Sequence, residues 1–400
     1  MRGSLDQLAG RLLLQCRASQ AERVAPVAAA HDAGIVVTGR HQDALTAAAA
    51  LRSRGFDGPV LCDADRYSGG NRKPAAQGIQ PEWCRRQRER GLIALTDSGY
   101  LAAAGDDDGL DRVLREAATQ PAPTIAMLPL AAEWFASSGR HRTLTNKIES
   151  HGVPVAVAIE HDKDPFAAQY VLRGFLELLA AATVPVLLLR SDVSALGALC
   201  HGAHAAAIGV TSTLRHLYRT PSGGGGRPAG VSAFISGLLS YHLLATCARA
   251  FAHTPELDHL WRCDCPVCGG ALPARLEATA DPCTAATFHS LHAQLELHTE
   301  LRPHRHTREQ RISAWHESCS HALFLHEQVA DLLPDWRAPA NLRSWLRVTE
   351  DPLAARRYVP EPAGERPPRA GRPGSPSAGD GTPSPRRAGD PGPGSGPERA

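Results

Sequence analysis

Between Gly34 and Ser236, short β-branched and aliphatic runs alternate with amphipathic stretches, and this rhythm restricts the fold more than any other feature of the sequence. The runs are Ile35–Thr38, Val60–Cys62, Leu92–Leu95, Thr124–Leu128, Val153–Ile159, Val184–Leu189, Ala205–Val210 and Ser232–Ile235. Helical patterns such as Gln42–Ser53, Glu82–Arg90, Leu110–Thr119, Arg142–Ser150 and Ala167–Ala182 lie between them. Runs apolar at successive positions suit strands covered on both faces, and regular strand–helix units imply a parallel sheet. Eight such units predict an α/β fold of the (β/α)8 TIM-barrel type rather than an open doubly wound sheet. No Gly-x-Gly-x-x-Gly follows the first run, which weakens a dinucleotide site further. Ser232–Ile235 has a second possible place, in a small β subdomain beside the cysteine cluster that follows it.

A chain of 400 residues with 43% hydrophobic content can bury a sizeable core as one large domain or two moderate ones. Its formal charge of +2 sets up no global field, so any nucleic-acid interaction has to come from local patches. No apolar run approaches the roughly 20 residues that span a bilayer, and Met1–Asp6 opens no secretory core, so a soluble, cytoplasmic protein without a membrane partner is expected. From about Val359 the sequence turns to Pro, Gly, Ser, Arg and Asp, a composition that cannot offset its own ordering entropy. The expected organisation is an N-terminal segment (1–33), a barrel core (34–250), a zinc-binding helical subdomain (251–350) and a disordered tail (359–400).

Cys263, Cys265 and Cys268 put three thiols within six residues, a spacing suited to a tetrahedral ion, above all structural Zn²⁺. In a chain with no sign of an oxidising compartment, metal ligation is favoured over disulfides. His289 is the preferred fourth ligand. His292, His298 and Cys283 are alternatives, and a helix would put His289 and His292 on one face. The other seven cysteines are dispersed singly and imply no chemistry.

Residues just after barrel strands gather at one rim, where catalytic groups sit. Here they include Arg40, His41, Asp63, Asp65, Asp97, Ser98, Glu160–Asp164, Arg190, Asp192, Thr211, Ser212, Arg215 and His216. Helix N-caps account for part of this set.

Leu95-Thr96-Asp97-Ser98-Gly99, together with Trp261-Arg262-Cys263-Asp264-Cys265-Pro266-Val267-Cys268 and a following His, resembles the tRNA-guanine transglycosylase superfamily over roughly residues 34–300. The resemblance implies a zinc-bearing TIM barrel that exchanges guanine for a 7-deazaguanine base in tRNA or DNA, often as a homodimer or with an accessory protein. It gives Asp97 an acid/base role in a base pocket that includes Ser98 and Gly99. The sequence departs from the family in two places. Tyr100-Leu101-Ala102 replaces the usual Gly-Phe-Gln, and Ala205–Ser212 has no carboxylate where the nucleophile is expected. Asp192 is the substitute candidate, with Asp162 and Asp164 behind it. Arg215 and His216 stand where a late barrel loop binds phosphate, and Gly223–Gly226 with Arg227 and the basic stretch His304–Arg311 add possible backbone contacts. Two other functions fit the sequence: a nucleic-acid-binding relative that has lost catalysis, and a hydrolase holding a rim metal through Asp63, Asp65 or Asp162.

Overall fold

The computed structural model describes residues 4–350 apart from 71, 104–105, 220–229 and 303–306. The expected disordered tail, the glycine run with Arg227, and 304–306 lie outside the described residues. Eight parallel strands, β1 (Arg11–Arg17), β2 (Gly34–Thr38), β3 (Val60–Asp63), β4 (Ala94–Leu95), β5 (Thr124–Ala131), β6 (Val155–Glu160), β7 (Val186–Ser191) and β8 (Ala205–Gly209), form one sheet. They pair in the order β3-β2-β1-β8-β7-β6-β5-β4. β3 also packs against β4, which brings the ends of the sheet together in a nearly closed (β/α)8 barrel.

The membership of the eight differs from the sequence expectation at both ends. The first barrel strand is Arg11–Arg17, inside the stretch read as an N-terminal segment, and it pairs with β2 through Leu13↔Gly34 and with β8 through Leu13↔Ala207. Ser232–Ile235 is not a barrel strand. It is β9, paired antiparallel with β10 (Ser240–Leu243) in a separate two-stranded sheet.

Alternation along each strand sorts side chains into two cores. Leu13, Val36, Leu61, Leu95, Met127, Ala156, Leu187 and Ala207 fill the barrel interior, while Leu12, Leu14, Ile35, Val37, Leu128, Val157 and Ile208 face the helices outside. Seven helices follow the first seven strands: α1 (Ala21–Ala30), α2 (His41–Ser53), α3 (Pro81–Arg88), α4 (Asp107–Ala118), α5 (Ser138–His151), α6 (Gln169–Ala181) and α7 (Ser194–Cys200). After β8 come the β9–β10 hairpin, α8 (Leu244–His253), α9 (Asp258–Trp261), α10 (Pro282–Leu301), α11 (Arg308–Leu332) and α12 (Ala340–Glu350). α10 packs on β1, α1 and α7, so it takes the position of the eighth outer helix. The cysteine-bearing segment is therefore an insertion inside the eighth strand–helix unit. α11 and α12 close over α7, where the buried rings of Trp315 and Trp345 meet edge to face at 5.5 Å. No helix among the described residues is long and apolar enough to cross a membrane.

Candidate metal centre and barrel rim

The segment after α9 is wound by its own backbone into a tight knuckle. The N–H groups of Cys268 and Gly269 both donate to Cys265 O, at 3.0 and 2.9 Å, and Gly270 N donates to Cys263 O at 3.0 Å. Gly269 and Gly270 have φ of +55° and +83°, a left-handed turn that side-chain-bearing residues disfavour. The turn aims the three sulfurs at α10, whose N-terminus is capped by Asp281 accepting from Thr284 N at 3.1 Å. His289, two turns into that helix, brings Nδ1 to 3.2 Å from Cys268 Sγ and 3.5 Å from Cys265 Sγ. The donor atoms of Cys263, Cys265, Cys268 and His289 all lie within 4.8 Å of one another.

This set fits a tetrahedral metal ion. His289 Nε2 donates to Phe234 O on β9 at 2.7 Å, which fixes the tautomer and leaves Nδ1 as the ligand atom. Cys265 and His289 are buried, and a closed set of four protein donors of this kind would leave no position for substrate on an ion held there. His292, one turn further along α10, points elsewhere and meets His31 Nε2 through its Nδ1 at 2.9 Å. His298 also turns away, to Gly10 O at 3.2 Å.

At the rim, Asp97 follows the two-residue strand β4, and its side chain is fully enclosed. Oδ2 accepts from Arg66 Nη1 at 2.9 Å and meets His41 Nε2 at 3.0 Å, and Oδ1 accepts from Gln80 N at 2.8 Å. His41 begins α2 and lies against Trp83 with ring centroids 4.6 Å apart, while 29% of its side chain stays exposed. Asp97 thus orients an imidazole that reaches solvent. Ser98 is buried and its Oγ bonds Thr96 Oγ1 at 2.8 Å. Gly99 faces the backbone of the β3–α3 connection so closely that a Cβ would sit 2.5 Å from Lys73 O. Its glycine is required by chain packing.

Beside Asp97, the barrel mouth holds a buried polar layer. Asp63 Oδ2 accepts from Tyr67 OH at 2.7 Å and from Gln15 Nε2 and Thr38 Oγ1 at 3.1 Å each. The Arg190 guanidinium bonds Asp65, lies 4.8 Å over the Tyr67 ring, and has Asp63 at 3.9 Å. Arg17 joins Asp65 from the other side at 2.5 Å. Burial works against the Arg190 charge, but Tyr67, Asp65 and Asp63 outweigh it and hold the group above its ordinary value. Burial likewise pushes the Asp63 carboxyl up, opposed by Arg190. Arg190 and Asp65 both have positive φ, 51° and 54°, so the pair that joins them holds two backbone positions in a disfavoured region. Across the mouth, Arg72 bonds Glu160 at 2.5 Å, Tyr100 OH donates to the same carboxylate, and Leu217 and Tyr100 pack onto the interior apolar cluster.

Asp192, Arg215 and His216 form a different neighbourhood. Asp192 Oδ1 accepts from Ser194 N at 3.3 Å, and burial raises its carboxyl against the pull of Arg215. Burial first, and then the Asp192 charge, push Asp164 well above the carboxylate range. Arg215 stacks on Tyr241 of β10, 3.3 Å from the ring centroid, and thereby ties the rim to the hairpin. His216 is buried against Tyr218, and its pKa is lowered to about 4 by burial and by His161 and Arg215. Among the described residues, Asp97 and Asp192 share no hydrogen-bond partner. The sequence placed His41 on the rim but did not foresee that it pairs with Asp97, because a contact 56 positions apart has no local signature.

An open cleft of about 800 Å³ lies outside this layer, between the starts of α1 and α2, with Arg17, Arg23, Thr38, Gly39 and Asp43 among its walls.

No known family profile and no curated protein matches the sequence. Among solved structures, the chain is similar to the tryptophan synthase alpha subunit of Legionella pneumophila str. Paris, with 11% identity and a TM-score of 0.35 over 72% of this chain and 93% of that one. The barrel assignment rests on this chain's own strand order.

Proposed function

We propose that the barrel handles a purine base at its rim in the manner of a guanine transglycosylase, exchanging guanine for a 7-deazaguanine in tRNA or DNA. The observation that carries this is the Asp97–His41 pair, in which an enclosed carboxylate orients a solvent-reaching imidazole at the end of β4. A departing guanine must gain a proton and an incoming base must lose one, and an imidazole held in one tautomer by a carboxylate does both. Asp97 then acts through His41 as well as by hydrogen bonding, a change from the direct acid/base role expected for it. The Cys3His centre, read as zinc, braces the hairpin and α10 beside the rim and takes no part in chemistry. Asp192 is the candidate nucleophile, and its carboxyl, held up by burial, would have to ionise before it could attack a ribose.

A second function, binding nucleic acid without exchange, is favoured by one feature: Leu217 and Tyr100 fill the barrel mouth, and the β8 end, Gly209-Val210-Thr211-Ser212, carries no carboxylate. A rim-metal hydrolase is disfavoured because Asp63 and Asp65 are engaged by Arg190, Arg17 and Tyr67.

Incorporation of labelled guanine or 7-deazaguanine into tRNA and duplex DNA, with and without an accessory protein, separates the two. Exchange that falls at least about 100-fold in both His41→Ala and Asp97→Asn supports proton handling by the pair. Absence of exchange alongside salt-sensitive binding by anisotropy supports the binding protein.

A further inference from the structure

We infer that the protein has a second metal site, distinct from the cysteine centre, formed by His31, His292 and Glu296, which takes one divalent transition-metal ion and leaves a coordination position open to solvent. It does not depend on the base-exchange proposal.

Its residues come from two helices far apart in sequence. His31 is the C-cap of α1, where the helix end favours positive charge. His292 and Glu296 are four residues apart on α10, so they project from one face, one turn from each other. α1 and α10 pack together, and that packing brings His31 Nε2 to 2.9 Å from His292 Nδ1 with the rings inclined at 61°. One donor atom from each of the three residues lies within 4.8 Å of the others.

Bonds of about 2.0–2.1 Å from two imidazole nitrogens to one ion put those nitrogens roughly 3.0–3.4 Å apart, close to the separation already present. A small outward motion of either ring admits the ion. Two imidazoles and a carboxylate suit Zn²⁺, Co²⁺ or Ni²⁺ and are too nitrogen-rich for Mg²⁺ or Ca²⁺. Three protein ligands leave a fourth position for water or an anion, the arrangement of an open site and unlike the closed cysteine centre. All three side chains are half-buried, so an ion can enter without unfolding. When bound, it would clip α1 to α10, the two helices that flank β1.

The site also accounts for a feature of α10 that the cysteine centre leaves unexplained. His289 and His292 are three positions apart and were both candidates for the fourth ligand beside the thiols, yet His289 is the one that reaches the sulfurs. His292 belongs to this second cluster.

The test is Co²⁺ titration of metal-stripped, tag-free full-length protein, followed by visible absorption and by elemental analysis. Two ions per chain are expected. One gives the intense near-ultraviolet thiolate-to-metal band, and the other adds only weak d–d absorption. His31→Ala and Glu296→Gln should each abolish or weaken only the second component, by more than the roughly 10- to 100-fold that loss of an outer-shell partner costs, with the thiolate band unchanged and the melting temperature unchanged when only the cysteine centre is loaded. A single ion per chain in the unmodified protein overturns the proposal, as does a second ion that both variants retain. Glu296→Gln guards against misfolding, because it is nearly isosteric and half-exposed.

Discussion

Arg190 brings a guanidinium into a position only 2% exposed, in the polar layer that caps the aliphatic interior of the barrel. Its charge is tolerated because Asp65, Asp63 and the Tyr67 ring surround it. Removing it leaves the buried Asp63 without a cation and Asp65 with Arg17 alone. Arg190→Met should therefore cost about 3–5 kcal/mol at neutral pH. The sign with pH follows from Asp63, whose carboxyl is already raised by burial and is held down by Arg190. Without the cation it rises further and takes up a proton more readily. The deficit should then shrink between pH 7 and pH 5 in urea unfolding, and an equal or larger deficit at pH 5 would exclude this account. His326 gives a separate residue-level prediction. Its Nε2 donates to Leu238 O at 3.0 Å and its Nδ1 accepts from Trp336 Nε1 at 2.9 Å, an arrangement open only to the neutral ring. Burial lowers its pKa to about 4. The unfolded chain binds the extra proton between roughly pH 6.5 and 4, so stability contributed by His326 is complete above that window and is lost as pH falls through it. Thermal melts from pH 7.5 to 4.5 should decline over this range, and His326→Gln should decline less steeply from a lower starting value. Parallel curves would refute the assignment.

At the level of elements, the strand–helix rhythm gave the barrel, but the count of eight concealed two compensating errors. β1 reads Arg-Leu-Leu-Leu-Gln-Cys-Arg, with cations at both ends and an amide inside, and α1 contains Pro26, so both look like irregular chain. Their polar residues have tertiary explanations. Gln15 faces the rim layer, where it bonds Thr38 and Asp63, and Arg17 reaches Asp65. β9 has the composition of a buried strand because it is one, covered by α10, and composition does not distinguish a parallel barrel strand from a hairpin strand. The three thiols were legible because their spacing is local, whereas helical phase put both His289 and His292 on one face and left either able to complete the set. The separate destination of His292 was not legible, since His31 lies 261 positions away. The cysteine centre yields an element-scale prediction. Cys265→Ser removes a buried ligand at the middle of the knuckle, so the thiolate band of the Co²⁺ form should fall to near zero. The 263–290 stretch should become the first site of proteolysis, with a melting temperature lower by more than about 5 °C. Retention of the band would mean that another thiol, such as Cys283, had replaced it.

The whole molecule closes through its beginning. β1 pairs with β2 on one side and β8 on the other, and α10 lies over it, with His298 Nε2 bonding Gly10 O at 3.2 Å. Residues near 11 and near 205 must meet before the ring is complete, which makes closure a long-range event rather than the last of a series of local ones. Two perturbations separate closure from the clasp over it. Deleting residues 1–20 takes away the shared partner of β2 and β8, leaving two unpaired parallel edges and opening the interior apolar cluster to water. Cys265→Ser loosens the knuckle that positions α10 but leaves the β1–β2 and β1–β8 ladders intact. The deletion should abolish the cooperative melt and yield an aggregating chain with ordinary helix content by circular dichroism, whereas the cysteine variant should melt cooperatively at a lower temperature. If the order were reversed, with the deletion still cooperative and the cysteine variant not, the metal-bearing insertion and not the first strand would be what holds the barrel closed.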